Sequence, residues 1–108
     1  MIPFKRFGFF EYLISISNPK YLERSLLYSG RIYFALKDYA KASTTYTQLE
    51  QSAEFKDNYG EAISGALKSF AALKDSAGIL KYSQRVLSYE KSSVEDQYNA
   101  YLFLARYY

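Results

Sequence analysis

Two sets of residues in this chain have types and spacing that could do chemistry. Arg31, Lys68 and Arg106 recur at near-equal intervals, with Tyr28 and Phe103 beside them. Guanidinium and ammonium heads next to aromatic rings suit carboxylate-bearing ligands, because a charged donor makes short, strong hydrogen bonds to an anionic acceptor. Asp38 and Asp75 stand 37 residues apart, each closing the same tetrapeptide, Ala-Leu-Lys-Asp. A recurring acid could be a general base. It recurs here with a turn, however, and Asp favours turns by bonding nearby backbone N–H groups. Glu95 and Asp96 open a helix, where acids complement the dipole.

The chain has no His and no Cys. That excludes a Ser–His–Asp triad, a Cys–His pair, a zinc site with Cys or His ligands, and a disulfide framework. No G-x-x-x-x-G-K-[ST], G-x-G-x-x-G or G-x-S-x-G is present. The residues therefore point to binding and not to an enzyme, and no metal or cofactor is expected. A Cys-free chain suits the cytoplasm and the periplasm alike, so the compartment stays open.

With 108 residues the chain is one small domain. Hydrophobic residues make up 49%, including 13 Tyr and 8 Phe, while Gly 5 and Pro 2 are too few for a turn-rich β fold. The net charge of +3 is spread over both halves, so there is no basic arm. The pI of 9.0 is weak support for nucleic-acid binding. No apolar run is long enough to span a membrane. Lys5 and Arg6 precede an apolar stretch that resembles a signal peptide, but Glu11 interrupts it and no A-x-A-like site follows; an amphipathic helix is the preferred reading.

The positioning elements all read as helix. Apolar residues recur at three and four: Leu22, Leu26, Tyr33 and Leu36, then Tyr59, Ile63, Ala66, Leu67, Phe70 and Leu73. Asn18-Pro19, Lys37-Asp38, the polar joint 54–57, Lys74-Asp75 and Ser92–Asp96 are breaks. In the last of these each Ser has an acid three residues on, as a capping box requires. Six helices are expected, over about 4–17, 20–36, 39–53, 57–73, 76–90 and 94–108.

The strongest signal is internal repetition. Arg31, Tyr33 and Ala35–Asp38 recur as Lys68, Phe70 and Ala72–Asp75, and Ala105–Tyr108 echoes Gly30–Tyr33. Leu26-x2-Ser29-Gly30-x2-Tyr33 followed by Ala42-x3-Tyr46 resembles the tetratricopeptide repeat, whose pattern is W-x2-L-G-x2-Y, then A-x3-F. Gly8-x3-Tyr12 with Pro19 is similar to the second half of a preceding copy. Ile63-x2-Ala66-Leu67-x2-Phe70 is a degenerate second copy, with Ile79-x3-Ser83 reversing the small–large order. Tyr101-x2-Leu104-Ala105-x2-Tyr108 resembles the start of a third.

The resemblance implies an all-α fold of antiparallel helical hairpins stacked in a right-handed superhelix. It is one domain over 1–108: a half repeat over about 1–20, repeats over about 21–56 and 57–93, and a half repeat over about 94–108. It also implies a concave groove lined by the first helix of each repeat. Arg24, Tyr28, Arg31 and Leu27 would face it from one repeat, Glu61, Gly65 and Lys68 from the next, and Asn99, Phe103 and Arg106 from the last. The expected function is a protein–protein interaction scaffold that holds a peptide or helix there. The family's carboxylate clamp for chaperone tails is absent, since Leu27 and Arg31 replace its Lys and Asn. Two other functions compete: a purely structural or self-assembling segment, and weak RNA binding by the basic column, which Glu61 interrupts. The chain starts and stops in mid-repeat, and its last helix is rich in Tyr. The expectation is therefore a fragment of a longer repeat protein, or an end bearing Leu104, Tyr107 and Tyr108 that a second copy covers.

Overall fold

The computed structural model describes residues 19–54 and 56–107, and these form five helices with no strand among them. They are α1 (Pro19–Ala35), α2 (Tyr39–Ser52), α3 (Lys56–Leu73), α4 (Ser76–Ser88) and α5 (Val94–Tyr107). The helix expected over 4–17, with Gly8 and Tyr12, lies outside the described residues. So does Tyr108.

Both tight turns use one device. Pro19 opens α1, where its missing N–H would have had no helical partner. After α1, the Lys37 N–H donates to the Phe34 carbonyl and the Asp38 N–H to the Tyr33 carbonyl. After α3, Lys74 and Asp75 repeat both bonds with Ala71 and Phe70. This is the Schellman closure, and it needs a left-handed residue. Lys37 (φ 64°) and Lys74 (φ 58°) supply it. Asp38 and Asp75 then cap the next helices, accepting from the Lys41 and Gly78 N–H groups. Their role is the turn, as the sequence implies. A Cβ in the left-handed region costs about 1 kcal/mol. Lys37→Gly and Lys74→Gly should therefore each raise unfolding free energy by about 0.5–1 kcal/mol in urea titration.

The turn also corrects the core assignment. Leu36 and Leu73 are 52% and 43% exposed, although both continue the apolar stripe. Leu36 already lies past the end of α1, and Leu73 is the last residue of α3, so neither faces a packed neighbour. In the last break only Ser93 caps α5, accepting from the Asp96 N–H at 3.0 Å. The Ser92 hydroxyl turns back and donates to the Val86 carbonyl.

Each helix packs on the next in sequence, and α3 also packs on α1 and α5. The Cα traces of α2 and α4 nowhere approach within 8 Å. The helices thus form two layers, α1–α3–α5 and α2–α4, with the first more tightly joined. Leu26, Leu49, Ile63, Leu67, Ile79 and Val86 fill the core between them.

Glycines set the close approaches. A Cβ on Gly30 would lie 2.8 Å from the Tyr46 ring, and one on Gly65 only 2.6 Å from it. Tyr46 comes from α2 and passes its ring between α1 and α3 through those two gaps. In the second hairpin Phe70 takes the space over Gly78. The places equivalent to Gly30 and Tyr46 hold Leu67 and Ser83, both fully buried. The large side chain has moved from the second helix to the first, which explains the reversed order in the sequence.

Candidate functional site

The α1–α3–α5 layer carries a cavity of about 490 Å³. Its floor is one face of α3, where Gly60, Glu61, Ser64, Gly65 and Lys68 follow one another at helical spacing. Asp96 and Glu95 of α5 form one side, with Lys91 of the preceding turn, and Tyr46 reaches in from α2.

Arg31 and Glu61 dominate the electrostatics. The Arg31 Nε donates to one Glu61 oxygen at 2.5 Å and its Nη2 to the other at 2.6 Å. This bidentate pair ties α1 to α3 and fixes the planar guanidinium. The hydrogen bond to Glu61 raises the Arg31 pKa. The same guanidinium lies 5.5 Å from the centroid of the Tyr28 ring. Ser64 makes the second cross-link by donating to Asp96 at 2.9 Å, which ties α3 to α5. Among the described residues Lys68 has no ion-pair partner.

Burial pushes the Tyr46 hydroxyl up to about 12, and the Glu61 charge adds to the effect while Arg31 opposes it. The folded chain holds this proton more tightly than the unfolded chain, whose Tyr has its ordinary value of 10.0. The stability tied to it is intact below about pH 10 and is lost as pH rises towards 12. Burial also raises the Tyr82 hydroxyl, so an absorbance titration of the tyrosines should contain late components, of which the one near 12 is removed by Tyr46→Phe. The same substitution should flatten the alkaline loss of stability.

The sequence-named residues divide. Arg24, Tyr28, Arg31 and Arg106 are exposed, while Glu61, Lys68 and Asn99 are half-buried. Lys68 and Glu61 share the cavity. Arg31 is not an open cation, because Glu61 neutralises it. Arg106 is held over the Tyr107 ring at 5.9 Å, at the far end of α5. Phe103, Leu104 and Tyr107 lean against the core. Leu27 and Gly65 do not present side chains to a groove, since Leu27 is buried and Gly65 lies under Tyr46.

Four residues at or behind the cavity escape a reading of the sequence alone. There Tyr46 is hairpin filling and Asp96 a helix start, yet both line the cavity. Glu23 is buried in α1 and accepts from the Glu54 N–H at 2.9 Å and the Asn58 side chain at 2.6 Å, which pins the joint before α3. Glu50 of α2 accepts from the Tyr82 hydroxyl at 2.8 Å and pairs with Arg85, bridging the two outer helices. Both acids sit at helical spacing from buried residues, Glu23 three before Leu26 and Glu50 four after Tyr46. That spacing is the signal that could have found them.

No family model, curated protein or solved structure matches the chain. The geometry of the cavity therefore carries the functional reading.

Proposed function

We propose that the chain is a tetratricopeptide-like array of stacked hairpins with a right-handed superhelical twist, and that it works as a protein–protein interaction module. Its ligand is an extended peptide lying along the α1–α3–α5 layer. The observation that carries this reading is the cavity over α3. There Lys68, without an ion-pair partner among the described residues, shares the space with Tyr46 and a row of small residues. Two features support the curvature. The backbones of the α1–α3–α5 layer approach closely, while those of α2 and α4 stay more than 8 Å apart and are joined through the Glu50 side chain, as in an array bent towards its tighter layer, and the dimensions of 48 × 26 × 19 Å are elongated.

The cavity lining mixes charges, with three lysines (Lys56, Lys68, Lys91) against four carboxylates (Asp57, Glu61, Glu95, Asp96). Such a wall favours a peptide bearing both signs over a polyanion, whose affinity would rest on a net positive field. A phage-displayed library of random peptides, selected on the full chain, supplies the probe. Lys68→Glu should weaken the enriched peptides about 10-fold or more, since one lost charge-assisted contact is worth about that factor. Lys81→Glu on α4 should leave them unchanged. Equal binding to both variants would overturn the reading.

A further inference from the structure

The outward face of α5 carries a second surface, which meets the cavity only at Glu95. Val94, Tyr98 and Tyr101 are 82%, 64% and 63% exposed, and Ala105 is exposed as well. They follow at intervals of four, three and four, the spacing of a seam that packs against another helix. Ala100 is buried on the opposite side, and Phe103, Leu104 and Tyr107 lean on the core. The seam thus faces away from the rest of the fold.

Charge selects the occupant. Glu95 and Arg106 are both exposed, on the same flank of the seam, and neither has an ion-pair partner among the described residues. Glu95 lies six residues before Tyr101 and Arg106 five after it. A two-fold axis through Tyr101 would set each Glu95 against Arg106 of the other copy, and each Tyr98 against an Ala105, large against small. A parallel two-fold pair would carry this flank of the two copies to opposite sides of the seam, so that no Glu95 would reach an Arg106. We infer that the α5 face pairs antiparallel with the same face of a second copy of this chain, in an isologous dimer centred on Tyr101.

Sedimentation equilibrium of the full chain, up to millimolar concentration, should show a reversible dimer. Tyr101→Glu should raise its dissociation constant about 30-fold or more, because it places two acids on the axis. Glu95→Arg and Arg106→Glu should each weaken it about 10-fold, and the two together should restore it. All these positions are exposed, and circular dichroism checks that each variant folds. The native chain has no Cys, so cross-linking through an introduced thiol is unambiguous. Under oxidation the Tyr101→Cys variant should form a covalent dimer. The Tyr98→Cys variant should not, since an antiparallel pair holds its two thiols about 9 Å apart along the axis. A strict monomer, a dimer indifferent to Tyr101→Glu, a double reversal that fails to restore association, or a Tyr98→Cys variant that cross-links as readily as Tyr101→Cys would each overturn the proposal.

Discussion

Gly30→Leu should destabilise the chain by about 3 kcal/mol, and Tyr46→Ser should lose about as much alone, yet the two together should be no less stable than either. The Tyr46 ring is held from both sides, with the Gly30 and Gly65 Cβ positions 2.8 Å and 2.6 Å from it. A side chain added at Gly30 cannot push the ring aside, because Gly65 closes the other flank. Removing the ring alone opens a cavity between α1 and α3. The double variant instead copies Leu67 and Ser83, which occupy the equivalent places of the second hairpin and are fully buried. Urea unfolding of the four proteins should give a favourable coupling of about 3 kcal/mol or more. Additive losses would mean that the two hairpins do not share a register.

Glu23→Ala should cost about 2–3 kcal/mol and loosen the joint at 53–58. Its two carboxylate oxygens satisfy the Glu54 N–H and the Asn58 amide from inside the fold, with Glu23 only 4% exposed. Truncation leaves those donors without their acceptor, and an unsatisfied buried donor costs more than a typical hydrogen bond contributes. Glu23→Gln keeps one acceptor oxygen and should recover part of the loss. Hydrogen exchange should quicken at Glu54 and through the first turn of α3 in Glu23→Ala, while the turn at Lys74 stays protected. Because α3 floors the cavity, this acid supports the proposed site without lining it.

These two cases mark what is legible in the sequence. Five of the expected helices are present within two residues of their bounds, because the signals that end them are local. Pro19, the Lys-Asp turns and Ser93 act on their own neighbours. Leu36 and Leu73 are misassigned to the core because a three-four pattern continues past a helix end, and only the left-handed turn after it decides where the side chain points. A glycine that reads only as a small residue leaves Tyr46 unconnected to Gly65 on a third helix. The helical spacing of Glu23 and Glu50 places them beside buried residues, but their partners lie 31 to 35 residues away, where no sequence spacing predicts a hydrogen bond. The sequence does set Glu61 within the cation column, and the structure adds that this acid pairs with Arg31 from the next helix of the layer.

The central claim is that the α1–α3–α5 layer holds a peptide. Amide chemical-shift mapping of the full chain with a library-selected peptide tests it most directly. Shifts clustered at Gly60, Glu61, Ser64, Gly65, Lys68 and Asp96, and reduced by Lys68→Glu, are the predicted result. A library that enriches nothing, or shifts confined to the α2 and α4 surface at Thr44, Gln48, Lys81 and Gln84, would contradict it.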